Sequence, residues 1–240
     1  MTCDLTLAID VGTGSARAAL VDGAGGIVSI ASREHEQIVP QFGWAEQRPA
    51  DWWAGVVFSI RKLLADVPDA AGRISAVSAC GQMHGSVLVD GAGRLTRDTA
   101  PLWNDKRTID IVRAFEAAHA PESYLSESGN PPTPAWPGFK LAWLRDNDPK
   151  AYASAAHVLM PKDYINLMLT GEIAMDTGDA SCSFLMTPRS RQWSPQMIAL
   201  LGLDAAKLPP IREPLEILGH VTEAAAGETG LMTGTPVLVG

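Results

Sequence analysis

From Leu5 to Ile9 apolar residues alternate (Leu5, Leu7, Ile9), the period-two mark of a strand with one buried face, and Asp10 and a glycine-rich turn follow. The next run, Ser15 to Asp22, stops at Asp22-Gly23-Ala24-Gly25-Gly26. That is a hairpin signal, since a parallel crossover needs about a dozen residues or more. With Ile27 to Ala31 as a third strand, the pattern predicts an antiparallel meander. Pro49 suits a first helical turn, and Trp53, Val56, Val57, Ile60 and Leu64 then recur at helical spacing, which predicts an amphipathic helix lying on the sheet.

Further on, Ile74 to Cys80 reads as a buried strand closed by Gly81-Gln82-Met83-His84-Gly85, and a hairpin turn is expected at Asp90-Gly91-Ala92-Gly93. Between 106 and about 170 the pattern turns mostly helical. Thr108 to Ala118, Phe139 to Leu144 and Lys162 to Leu169 are its helical stretches, with a proline-rich loop at Asn130 to Pro134. This predicts a helical insertion on an α/β core. The tail carries Pro209-Pro210, an alanine-rich helix near Glu223 to Thr229 and a last strand, Pro236 to Val239.

The composition, 46% hydrophobic and 19% charged, is that of a chain that folds around a core. Its 19 Lys+Arg against 27 Asp+Glu leave a net charge of −8 with no basic cluster, so no nucleic-acid partner is expected. Cys3, Cys80 and Cys182 are odd in number and far apart, without metal-ligand spacing. A reducing cytoplasm is the setting they suggest. The start lacks a basic targeting region and no stretch approaches membrane-spanning length, so neither export nor a membrane partner is expected.

Asp10-Val11-Gly12-Thr13-Gly14-Ser15 sets a carboxylate at a strand end beside two glycines and two hydroxyls, chemistry suited to a phosphate and a divalent cation. It matches neither the P-loop nor the dinucleotide fingerprint, because Arg17 stands where the latter needs Gly or Ala. An acidic glycine turn between two strands would read the same way. Gln82-Met83-His84-Gly85 follows a strand end, where open α/β sheets place ligand contacts. The amide and imidazole suit hydroxyls and Gly85 suits close approach, although a lone His is more often structural. Trp103-Asn104-Asp105, followed by Lys106 and Arg107, offers a ring to stack on an apolar sugar face beside an amide and a carboxylate. The same three residues also read as a helix start with Asn104 or Asp105 as cap.

Taken in order, DVGTGSARAALVD, GQMHG, LWNDKR, MPKDYINLMLTGE, DTGDAS and the closing LPPIREPLEILGHVTEAAAGETGLMTGTPVLVG resemble the FGGY family of carbohydrate kinases over essentially the whole chain. The Q-M-H-G and W-N-D-x-R pair is similar to the xylulokinase branch more than to glycerol kinases.

The resemblance implies an α/β domain of the actin-like ATPase, ribonuclease-H-like type: a mixed sheet with an antiparallel meander, flanking helices and the helical insertion. Residues 1–240 match the N-terminal, sugar-binding domain of a two-domain kinase. By the same match Asp10 acts on the magnesium ion, and Gly12, Thr13, Gly14, Ser15 and Arg17 lie near the transferring phosphate. Gln82, Met83, His84, Trp103, Asn104 and Asp105 form the sugar side. Lys162 and Asp163 are expected to be structural, in a helix on the sheet. The reaction implied is transfer from MgATP to a primary hydroxyl of a ketopentose, D-xylulose first. Ribulose, erythritol, glycerol or a non-catalytic sugar-binding module are the alternatives. The family's catalytic Asp loop would follow Gly240, so the expectation is a half that is inactive alone, from a homodimeric parent.

Overall fold

The computed structural model describes residues 4–240. Cys3 lies outside them. Strands β1 (Leu5–Val11), β2 (Ser15–Asp22) and β3 (Ile27–Glu34) form the antiparallel meander, and β3 runs three residues beyond the sequence expectation. After the short β4 (Glu46–Gln47) and helix α1 (Pro49–Asp66), β5 (Ile74–Gly81) returns parallel to β1. Strand Pro236–Leu238 joins β5 in parallel, and strand Ile217–His220 closes that edge. The sheet therefore has six strands and mixed direction.

Burial explains the order. Leu5, Leu7, Ile9 and Val11 alternate inward on β1 at no more than 1% exposure, so the most apolar strand takes the centre. Helix α1 packs on this face through Trp52, Gly55, Val56, Ser59, Ile60 and Leu63. The expected Trp53, Val56 and Ile60 are buried on it, while the expected Val57 and Leu64 lie at its partly buried margin, so the deepest line is shifted toward Trp52, Gly55 and Leu63. The cause is Gly55: a Cβ there would stand 2.9 Å from Ala16 Cβ, so the helix approaches β2 most closely along its small residues. Ser59 Oγ donates to Ala16 O at 3.2 Å along the same seam. Each fully buried Val, Ile or Leu on this stripe contributes about 1.5–3 kcal/mol.

A second core forms around Phe115, Phe139, Phe184 and Met197, with Leu88 and Leu201 also in it. The insertion thus extends past the predicted 106–170. Its expected last helix, Pro161–Thr170, instead joins the main core through Tyr164, Ile165, Leu167 and Leu169. The turn at Asp90 to Gly93 forms, but its pairing shrinks to the bridge Val89–Leu95, because strand Val87–Val89 pairs with His157–Leu159. No helix among the described residues is long and apolar enough to cross a membrane.

Candidate active site

Parallel pairing of β1 with β5 sets Asp10 beside Cys80 and Val11 beside Gly81, so the two carboxyl ends deliver their loops to one edge. Gln82 N donates to Val11 O at 2.7 Å and ties the loops together. Across the hairpin Asp10 faces Arg17, whose Nη1 lies 2.9 Å from Asp10 Oδ2. Arg17 Nε also donates to Ser15 Oγ at 3.2 Å. The other carboxylate oxygen, Oδ1, has Cys80 Sγ at 3.9 Å as a weak neighbour.

The Gly12–Gly14 loop is held by its carbonyls. Gly12 O accepts from His35 Nε2 at 3.0 Å, Thr13 O from Gln47 Nε2 at 2.7 Å, and Gly14 O from the His35 amide at 3.2 Å. The Thr13 and Gly14 amides have no such partner among the described residues, and a Cβ on Gly14 would meet nothing within 4 Å. Donors without partners in open space beside a carboxylate fit a phosphate with Mg²⁺, which takes one or two carboxylates and keeps water or phosphate oxygens for the rest.

Met83 (52% exposed) and Trp103 (46%) are large apolar side chains left uncovered. With Thr13, Gly81 and Gln82 they line a cavity of about 360 Å³. Trp103 Nε1 donates to Thr13 Oγ1 at 3.1 Å, so the ring is anchored to the phosphate-side loop. A second cavity, about 460 Å³, shares Gly81 and Met83 and adds Cys80, Lys162, Asp176, Asp179, Cys182 and Gly240. A larger notch of about 510 Å³ at Asp90, Arg97 and Asp148 contains none of the predicted site residues, and Arg97 there is already paired with Glu46 and Asp148.

His84 lines neither cavity. It has φ 66°, a conformation costly for a residue with a Cβ, and its surroundings enforce it. Buried Lys140 donates from Nζ to His84 O at 2.7 Å, and the ring lies edge-on to Trp136. His84 Nδ1 is 3.0 Å from Cys182 O, and since a carbonyl accepts only, Nδ1 carries the proton and Nε2 keeps a lone pair. Burial first, and the Lys140 charge second, push the imidazole down to about 4, so it is neutral at physiological pH.

Asp105 departs from the expected sugar side. At 1% exposure its carboxylate accepts from Ala45 N at 2.7 Å and from Arg107 Nη2 at 2.7 Å. Arg107 in turn lies over the rings of Trp44 and Trp143, at 3.9 and 4.8 Å from their centroids. The carboxylate is spent on holding the loop. Asn104 Nδ2 donates to Gln37 Oε1 at 3.1 Å, and its Oδ1 is buried without a partner.

Gly85 does give close approach, but to the protein itself: a Cβ there would stand 2.6 Å from Pro161 Cγ. Lys162 and Asp163 are buried, as expected of structural residues, yet Lys162 also reaches the cavity wall. Its Nζ sits 2.7 Å from Asp163 Oδ1, 3.0 Å from Asp176 Oδ2 and 3.8 Å from Asp179 Oδ2, the place a cation would take among these three carboxylates. Burial, with Asp163 next, pushes Asp179 up to about 7. Asp179 and Gln47 carried no signal as single residues, and Cys182 read only as an unpaired thiol. Topology alone brings Asp179 and Cys182 to the cavity wall and Gln47 behind it.

The FGGY family of carbohydrate kinases, N-terminal domain, matches residues 5–240. Xylulose kinase of Escherichia coli (strain K12) is 32% identical over 234 residues, 98% of this chain and 47% of the relative. Autoinducer-2 kinase of Yersinia enterocolitica is 30% identical over 247 residues, 99% of this chain and 45% of the relative. The crystal structure of xylulose kinase from Rhodospirillum rubrum superposes with a TM-score of 0.92 at 31% identity, covering 98% of this chain and 48% of that one. The chain spans about half the length of the curated relatives it matches. Its fold is the actin-like ATPase type that the sequence implied.

Proposed function

The chain belongs to the FGGY family of carbohydrate kinases, and on that premise we propose that the protein transfers the γ-phosphoryl group of MgATP to a primary hydroxyl of a ketopentose, D-xylulose first. The observation that carries this reading is one groove edged by the Asp10 loop on one side and by Met83 and Trp103 on the other. Trp103 and Met83 would cover the apolar face of the sugar. Gln82, which lines the groove with Oε1 short of a partner, would accept a hydrogen bond from a sugar hydroxyl, with Asn104 Oδ1 and the lone pair of neutral His84, each one residue beyond the groove wall, as further acceptors.

The Thr13 and Gly14 amides, with the hydroxyls of Thr13 and Ser15, would receive phosphate oxygens. Asp10 would hold the magnesium ion, which when bound neutralises charge on the transferring phosphate. Arg17 orients Asp10 for that role, and a carboxylate engaged by the guanidinium and the metal is poorly placed to take the sugar proton. We assign the proton acceptor and most nucleotide contacts to residues outside these 240. The free thiols Cys80 and Cys182 support a reducing, cytoplasmic setting.

Likeness to the autoinducer-2 kinase supports autoinducer-2 as a second substrate for the same groove. The test is coupled ADP release by the complete polypeptide carrying these residues, with D-xylulose, D-ribulose, erythritol, glycerol and autoinducer-2. Turnover is expected to be fastest with D-xylulose and to vanish without Mg²⁺. ADP release no faster than the sugar-free blank with every compound refutes the reading.

A further inference from the structure

Gln47 links the two halves of the groove without touching either cavity. At 1% exposure it occupies β4, and three hydrogen bonds meet on its amide. Nε2 donates to Thr13 O at 2.7 Å, while Oε1 accepts from Trp52 Nε1 at 3.0 Å and from Gln82 Nε2 at 2.8 Å. A carbonyl can only accept and an indole N–H can only donate, so the Gln47 amide has one possible orientation. That orientation dictates the next one. Gln82 must turn its NH₂ to Gln47, which leaves Gln82 Oε1 buried and without a partner.

From this relay we infer that Gln47 is a positioning residue: it sets the Gly12–Gly14 loop through Thr13 and fixes the Gln82 amide as a hydroxyl acceptor. Gln82, which lines the groove, then favours a ligand group that donates a proton over an anionic oxygen. The inference rests on the kinase reading above and names the part of the molecule that ties its phosphate side to its sugar side.

The substitution Gln47→Glu separates positioning from packing. A carboxylate accepts from Trp52 and Gln82 as before but opposes the Thr13 carbonyl with lone pairs. Once protonated, it donates to Thr13 O as the amide did, and burial raises the pH at which this occurs. In the complete polypeptide, kcat of Gln47→Glu is expected to be about tenfold below wild type at pH 8, the scale of one buried hydrogen bond lost, and to approach it at pH 6. The Kd for D-xylulose, by calorimetry, should stay within about threefold at both values.

Gln47→Met loses all three bonds, so both kcat and Kd should worsen with no recovery at low pH. The inference is overturned if Gln47→Glu matches wild type at pH 8, if its defect is equal at pH 6 and 8, or if Gln47→Met is indistinguishable from wild type. A wild type that neither binds D-xylulose nor releases ADP removes the kinase reading and this inference together. An active wild type beside an unaffected Gln47→Glu removes the inference alone.

Discussion

Gly85→Ala tests whether the Gln82–Gly85 loop is shaped by the protein or by its ligand. The added Cβ would meet Pro161 Cγ at 2.6 Å and Cδ at 2.8 Å, where carbon atoms settle at about 3.5–4.0 Å. The overlap is thus about 1 Å, and the obstacle is a ring fixed to the first turn of helix Pro161–Thr170. Neither partner can rotate away. Overpacking of this kind costs about 1–3 kcal/mol and lowers the melting midpoint accordingly.

If the loop yields instead, Met83 and His84 shift by a comparable distance, and a 1 Å misplacement costs about 10²-fold in turnover. Scanning calorimetry, D-xylulose titration and coupled ADP release on the complete polypeptide read stability, affinity and turnover. Pro161→Ala in the same chain removes Cγ and Cδ, so the double variant should recover most of the loss, a coupling that a mutant cycle isolates. An unchanged melting midpoint and Kd for Gly85→Ala refute the steric account. A loss of affinity that Pro161→Ala does not relieve shows that the glycine serves the ligand directly.

Two further outcomes follow from the charges. Asp10→Asn should abolish Mg²⁺-dependent turnover while leaving the D-xylulose Kd within about twofold. Its melting midpoint should move little, because the Asp10–Arg17 pair is exposed and such pairs contribute about 0–1 kcal/mol; retained turnover removes Asp10 from the metal role.

Burial pushes Lys140 down from 10.5 to about 7 in the fold, with the nearby Asp105 opposing that shift. Between those values the unfolded chain binds a proton that the folded chain does not, so stability should rise with pH from about 7 to 10.5. Urea midpoints at pH 7 and pH 9.5 should therefore diverge in wild type and converge in Lys140→Met. An identical pH slope in both proteins refutes the assignment.

Contacts that are local in the chain were legible. The alternation in β1, the glycine turn at Asp22 to Gly26 and the alanine-rich helix Glu223–Thr229 each follow from residues a few positions apart. The deepest line of α1 was not, because its hydrophobic stripe is wide and the close approach of Gly55 to Ala16 decides which part of it lies innermost. Asp105 shows the same limit at the site. Beside Trp103 and Asn104 it reads as a third polar contact, but Arg107 and the Ala45 amide claim it from inside.

What the residues determined unaided was the chemistry on offer: a carboxylate and two glycines after one strand, an amide and imidazole after another, an indole and amide beyond. Those are properties of side chains and short spacings, present before folding, which burial then tunes, as it does the His84 imidazole. Which of them share a groove was decided by the parallel pairing of β1 with β5 and by Gln47, a residue with no pattern of its own. Hydrogen bonds across 34 and 35 positions leave no periodic trace, because they depend on where two distant backbones come to rest.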